Sequence, residues 1–468
     1  MVNFIAYDLA FMLLVTLAVF LFIKKRKTNL KKQGLMYLYH TKFGLRAINW
    51  TSKKFAPILK PLEYVSISLG YILMISILWL IGTTLYIYLK YPIMNTIKAP
   101  PVFPLVPYFP TIFKLEAFFP PFYFTYFIIA LIIVAVSHEF SHGVFARLNN
   151  IRIKSTGFAF LGPILGAFVE QDEKQMNRAK LKAQLAVLSA GVFANIIMTL
   201  LFGLLLWIFF VSSFSPAGVY FNAYSQKILN TSEINSINNI PLSEFSISNL
   251  STQSEFVEIS SGNKSFFADP LVLKETLSKN YPYLIVFEDA PAFRTKLTGA
   301  ILSIDNKSIT SHDELREAIL SYKPGENITI KTFDNDKEKT YQITLAEREG
   351  KAFLGVGVMP QTHSGIIGWF YNFVSSIKNP YIYYTSNLGA FGIFIYDLLW
   401  WIVIINFFVA LFNMLPLGIL DGGRFFYLTI AQGITKSEKI GRVAFKAITW
   451  AIGLIFLILM IKWFFSLF

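Results

Sequence analysis

The chain has no cysteine among its 468 residues. Disulfides are excluded, and so is a thiolate-bound metal; any metal site must be built from His, carboxylate and water. Histidine is itself scarce, with five in the chain. Charge is scarce too, at 15% of residues, where an ordinary soluble domain carries about 25%. Acidic residues number 28 against 42 basic ones, a formal charge of +14. What takes their place is apolar: 54% hydrophobic residues, 47 Phe and a mean hydropathy of +0.52.

That composition predicts a membrane protein. A bilayer span takes roughly 20 apolar residues, and six runs qualify: Phe4–Ile23, Tyr64–Leu89, Phe122–Phe145, Ala183–Val211, Ile393–Phe412 and Ile448–Leu467. The basic residues gather at the ends of these runs. The positive charge is therefore read as a partner for anionic lipid at the cytoplasmic face, and no nucleic-acid partner is expected. The segment Lys24–Lys60 holds eleven Lys and Arg and no acid, while Tyr91–Pro120 has only Lys98 and Lys114. The positive-inside rule puts the first loop in the cytoplasm and the second outside. The third run then points inward, and the polar stretch Ser213–Gln361 is extracytoplasmic. Five Asn-x-Ser/Thr sequons, beginning at Asn230, Asn249, Asn263, Asn306 and Asn327, fit that external face.

The third run carries His138-Glu139-Phe140-Ser141-His142. On a helix, HExxH sets two imidazoles one turn apart on one face, where both can bind one zinc ion. The Glu beside the first can act as general base on an attacking water. Ionisable groups in so apolar a segment are costly and by default functional. A third ligand is needed. His40, His312 and His363 lie away from membrane depth and read as surface or helix-start residues. Asp421 stands in Asn413-Met414-Leu415-Pro416-Leu417-Gly418-Ile419-Leu420-Asp421-Gly422-Gly423, after the fifth run. Its Pro and Gly break regular helix, which at membrane depth is tolerated only against a protein cavity. Alone, Asp421 would be a turn residue in an Asp-Gly pair. With HExxH at the same cytoplasmic depth, it reads as the third ligand, completing a catalytic His₂–carboxylate set.

Within the polar stretch, Leu297–Asn306 reads as a strand and turn, and Ser311–Ile319 as a helix with Ser311 and Glu314 in capping-box spacing. Asn327–Thr332 and Thr340–Leu345 alternate as strands around Asn335-Asp336. This resembles a PDZ domain of the kind found in membrane and periplasmic proteases, a module that adds a peptide strand to its sheet. The upstream residues Pro216–Val286 read as an extension of that domain or a degenerate second copy.

Together, His138–His142, the Asn413–Gly422 stretch and the intervening PDZ-like segment resemble the site-2 protease family of intramembrane metalloproteases. Gly162–Glu170 is similar to the family's membrane-associated β-hairpin, which presents substrate as a strand. Gly191-Val192-Phe193-Ala194-Asn195 matches its Gly-x-x-x-Asn pattern, and Asn387–Ile393 the stretch before its Asp-bearing helix. The resemblance implies a catalytic role for Asn195, bonding substrate backbone or the oxyanion, beside the base Glu139. Gly191 reads as a packing residue. Val192 stands where the family often has Pro.

The expected fold is a polytopic α-helical membrane protein of about six transmembrane helices with an extracytoplasmic α+β PDZ-like domain. The expected organisation is residues 1–120, an N-terminal two-helix region with its basic loop; 121–212, the catalytic core; 213–289, the PDZ extension or copy; 290–360, the PDZ-like domain; and 361–468, the region bearing Asp421. The expected function is zinc-dependent hydrolysis, with one zinc per chain, of peptide bonds in transmembrane substrates as part of regulated intramembrane proteolysis. A peptide C-terminus is the expected PDZ ligand. The alternatives are a prenyl-protein or signal-peptide-remnant protease, or a metal-binding scaffold or transporter; the intact Glu139 speaks against the last.

Overall fold

The computed structural model describes residues 4–26, 30–34, 36–90, 105–116, 119–161, 164–247, 250, 255–334, 337–358, 372, 375 and 377–465. The turn Asn335-Asp336, the hairpin tip Gly162-Pro163 and His363 lie outside the described residues. The chain divides into two compact units, one of residues 1–209 and 393–468, the other of residues 210–392.

The first unit begins with α1 (Phe4–Lys25), β1 (Leu30–Gln33), β2 (Met36–Thr41), α2 (Leu45–Lys54) and α3 (Ala56–Lys90). After a short α4 (Phe109–Ile112) come α5 (Phe124–Leu148), β3 (Ile153–Leu161), β4 (Ile164–Gln171), α6 (Glu173–Arg178) and α7 (Leu181–Ser213). Gly34, at φ +60°, turns β1 back on β2, and β2 pairs with β3, giving a four-stranded sheet in the order β1-β2-β3-β4. The basic segment is therefore more than a solvated loop: Leu30–Gln33 and Met36–Thr41 build part of the sheet that carries the hairpin. His40, on β2, has its Nδ1 2.9 Å from Ser155 Oγ on β3, in keeping with a structural role.

Two buried acids fix the HExxH helix. Asp8 of α1 accepts from Phe124 N (2.7 Å), Thr125 N (2.9 Å), Thr125 Oγ1 (2.5 Å) and Tyr108 Oη (2.5 Å). It thus caps the first turn of α5 from another helix, placing negative charge where free N–H groups and the helix dipole favour it. Towards the other end of α5, Glu63 of α3 accepts from Asn149 Nδ2 and Lys182 Nζ, each at 2.8 Å.

The second unit is rich in sheet. Its strands are β5 (Phe214–Val219), β6 (Ala223–Tyr224), β7 (Gln226–Asn230), β8 (Ser236–Ile237), β9 (Ile240–Pro241), β10 (Val257–Ser261), β11 (Lys264–Ala268), β12 (Tyr283–Glu288), β13 (Ala300–Ile304), β14 (Lys307–Ser308), β15 (Asn327–Asp334), β16 (Lys337–Thr344), β17 (Ala346–Arg348), β18 (Lys351–Phe353), β19 (Val356–Gly357) and β20 (Ile382–Ser386), with helices α8 (Pro270–Ser278), α9 (Pro291–Arg294) and α10 (His312–Leu320). One sheet runs β7-β12-β11-β10-β8-β9 and the other β16-β15-β13-β5-β20, each over its own apolar core. Ser311 caps α10 as its spacing predicts, accepting from Glu314 N. The Glu314 carboxylate accepts from Thr310 N and Oγ1, one residue upstream of the cap. His312 lies at the start of that helix, with Nε2 3.2 Å from Tyr381 O.

The two lobes share a local plan. The hairpin turns Asn238-Asn239 and Asp305-Asn306 all have positive φ. Ile237 pairs with Ile259 as Ile304 pairs with Ile330. Asn238 N donates to Glu258 O and Asp305 N to Thr329 O, both at 2.9 Å. In return Asn238 Oδ1 accepts from Glu258 N, and Asp305 Oδ1 from Thr329 N. The plans differ at α10, which the second lobe carries before its next hairpin, and again after that hairpin, which leads to α8 and β12 in the first lobe and to β17 and β18 in the second.

The chain ends with α11 (Gly389–Asn413), α12 (Asp421–Leu428), a π-helical turn over Thr429–Ile434, and α13 (Glu438–Phe465). Among the described residues, six helices are long and apolar enough to cross a membrane: α1, α3, α5, α7, α11 and α13. With the sheet-rich unit, they make this a multi-pass helical membrane protein with a β region. Helices α3 and α13 begin well before the apolar runs Tyr64–Leu89 and Ile448–Leu467, because their helical hydrogen bonding continues into polar flanks. One core in the first unit, with Ile48, Ile77, Phe145, Leu185, Met414, Phe425 and Ile452, joins α2, α3, α5, α7, α11, α12 and α13 beneath the site.

Candidate metal centre

His138 and His142, 8% and 6% exposed, lie on the buried face of α5 as their i, i+4 spacing predicts. Asp421 reaches them from the start of α12. α11 stops at Asn413, the chain turns through Met414–Leu420, and Asp421 opens a new helix. Gly422 and Gly423 permit that turn, since a Cβ on Gly422 would lie 2.6 Å from Leu415 O and one on Gly423 2.6 Å from Leu417 C.

His138 Nε2 and His142 Nε2 stand 3.0 Å apart. Asp421 Oδ2 is 3.1 Å from the first and 3.2 Å from the second. A tetrahedral zinc with ligands at about 2.0–2.1 Å sets its donor atoms about 3.3 Å apart, so the three fit such an ion closely. The outer ring nitrogens are engaged elsewhere. His142 Nδ1 is 2.6 Å from Val187 O, and His138 Nδ1 is 3.1 Å from the amide of Asn195. Both rings thus present Nε2 inward with Nδ1 engaged by a polar group of α7, as metal-ligating imidazoles do. Among the described residues this is the group of three His or acidic side chains that could hold a metal ion.

Gly191 does more than pack. Its missing side chain faces both imidazoles, and a Cβ there would lie 2.5 Å from His138 Nε2 and from His142 Nε2. Val187, Gly191 and Asn195 recur every four residues and form one stripe of α7. Val187 supplies a carbonyl, Gly191 clearance and Asn195 an amide. Asn195 is fully buried.

Glu139 is half-buried, and its Oε2 accepts from Val169 N at 2.9 Å. Val169 lies on β4, which among the described residues has β3 as its one sheet neighbour. The Glu139 carboxylate is therefore tied to the hairpin edge that faces away from β3.

The family model for peptidase family M50 matches residues 126–460, more than half of the chain. The chain belongs to peptidase family M50, the site-2 protease family. The matched span includes HExxH, Gly191, Asn195 and Asp421. Members of this family are membrane metalloproteases that use zinc. An uncharacterized protein of Methanocaldococcus jannaschii is 28% identical over 296 residues, 63% of this chain and 54% of that protein. The chain thus spans about half the length of the curated relative it matches.

Proposed function

We propose that the chain is a zinc-dependent intramembrane endopeptidase that cuts substrate proteins within or near their transmembrane segments, as a step of regulated intramembrane proteolysis. The observation that carries this reading is the convergence of His138 Nε2, His142 Nε2 and Asp421 Oδ2, mutually 3.0–3.2 Å apart, one residue from a carboxylate at an open strand edge. One zinc held by these three would supply Lewis-acid polarisation of the scissile carbonyl and of the attacking water. Glu139 takes the water's proton and returns it to the leaving amine. A transmembrane helix hides its carbonyls in internal hydrogen bonds, so the substrate unwinds locally, and the free edge of β4 offers replacement partners. Hydrolysis of a model transmembrane peptide by the purified chain tests the reading. Cleavage should stop with a chelator and return with zinc; chelator-insensitive cleavage, or none with zinc bound, counts against it.

In this reading residues 290–360, with β5 and β20 completing their sheet, form a PDZ-like domain outside the membrane, and the upstream sheet of β7–β12 is a degenerate copy, supported by the shared hairpin plan. A groove of about 360 Å³ runs between α10 and residues 351–358, with Leu315, Ile319, Leu354 and Val356 in its lining and Arg316 and Lys351 to meet a carboxylate. It suits a peptide C-terminus and would filter substrates by their ectodomains. The basic flanks of the spans meet anionic lipid, and the active site lies towards the cytoplasm. Sidedness is open to a direct check, because the chain has no thiol of its own. With Asn29, Asn335 and Ser437 changed singly to Cys, an impermeant thiol reagent outside intact cells should label position 335 alone; labelling at 29 would invert the arrangement.

A further inference from the structure

Asn195 is more deeply enclosed than a substrate-binding group needs to be. It is 0% exposed, and both ends of its amide are taken. Its Nδ2 is 3.1 Å from His138 Nδ1 and its Oδ1 3.3 Å from Ser137 Oγ. In this orientation the amide donates to His138 Nδ1, the ring proton sits on Nε2, and Nε2 donates to Asp421 Oδ2 at 3.1 Å. A ring protonated on Nε2 has no lone pair there for a cation.

Turning the amide end for end leaves its shape unchanged and exchanges donor for acceptor. Oδ1 then accepts from His138 Nδ1–H, and His138 Nε2 presents a lone pair to the metal. Ser137 favours this orientation. Its single hydroxyl hydrogen is taken by Ile133 O at 2.8 Å, with Val134 O at 3.1 Å. Ser137 Oγ is left with lone pairs that suit the amide's N–H. Every buried polar atom of the trio is then satisfied, as buried polar groups require.

We infer that Asn195 is a positioning residue that acts through His138. Its carbonyl, braced by Ser137, fixes the tautomer that makes His138 an Nε2 ligand. Val187 O does the same for His142. The inference rests on the metalloprotease reading and replaces a direct contact of Asn195 with substrate by an indirect role.

The test measures metal affinity separately from turnover, by titrating purified apo-protein with zinc against a competing chelator. Asn195→Leu, which leaves the His138 Nδ1–H unpaired, should weaken binding about 10–100-fold, the range for outer-shell partners of metal ligands. Asn195→Asp offers an acceptor but no N–H. It should recover the affinity and, at saturating zinc, cleave the model peptide faster than the Leu variant. If Asn195→Leu fails to fold, Asn195→Asp decides alone. Retained zinc with turnover supports the inference. Retained zinc with turnover abolished overturns it, because that is the result of losing an oxyanion donor. Wild-type affinity in Asn195→Leu, or lost affinity in Asn195→Asp, also overturns it. A wild-type chain that binds zinc but cleaves nothing defeats the protease reading while leaving the affinity comparison standing; one that binds no zinc defeats both.

Discussion

Replacing Glu139 with Gln is expected to leave the metal in place and reduce cleavage by about 10²–10⁴-fold, the usual worth of a positioned general base. The two side chains have the same shape. Gln retains an oxygen to accept from Val169 N, so the 2.9 Å tie to β4 survives. The three candidate ligands are other residues, so zinc content should match wild type. What disappears is the negative charge and the ability to take a proton from water. The measurement is paired: zinc per chain by elemental analysis, and hydrolysis of a transmembrane peptide over time. Cleavage near the wild-type rate would remove Glu139 from the mechanism. Loss of zinc together with activity would mean that the carboxylate supports the metal rather than the chemistry.

Replacing Gly191 with Ala is expected to weaken zinc binding on the order of 100-fold, at or beyond the upper end for outer-shell changes, with cleavage falling in parallel. Alanine is a better helix former than glycine, by roughly 1 kcal/mol in an exposed helix, so α7 itself has no reason to fail. The effect is local. The new methyl would stand 2.5 Å from Nε2 of both imidazoles, the atoms that face the cation, and both rings are held at Nδ1 by Val187 O and Asn195. Gly203 supplies the control on the same helix, because a Cβ there meets nothing within 4 Å. Gly203→Ala should bind zinc as wild type does. If both variants bind alike, the clearance at Gly191 does not govern the site.

The parts of this molecule that read well from sequence are those whose signal is local. A run of apolar residues declares a span, and His138 and His142 declare a shared helix face. Pro416 and the Gly pair after Asp421 declare a break in which a carboxylate stands out. Asp8 shows the opposite case. In its own helix it is one acid among apolar neighbours, and its partners, Tyr108, Phe124 and Thr125, are brought to it only by packing. The strands of the basic segment were obscured by their charge, since Leu30–Gln33 carries two lysines and gains its pairing only from the hairpin on β2. Gly191 gave the weakest signal of all. A residue without a side chain does not announce what must be kept out of its place. Ser137 could have been found, because a hydroxyl directly before His138 in an apolar helix has few partners, but its link to Asn195 depends on how α5 and α7 are matched in depth.

The hydrogen bond between Val169 N and Glu139 Oε2 places a constraint on the order of events. A single N–H serves one acceptor well. A peptide strand laid along β4 with a carbonyl opposite Val169 must take the donor that the carboxylate now holds. Occupancy of that register and the resting posture of Glu139 therefore exclude one another. In the proposed reaction each cycle would break this bond and make it again, so that arrival at the strand edge and release of the proton acceptor would be one event. Between substrates, the group that would deprotonate water is held by the backbone it must later give up.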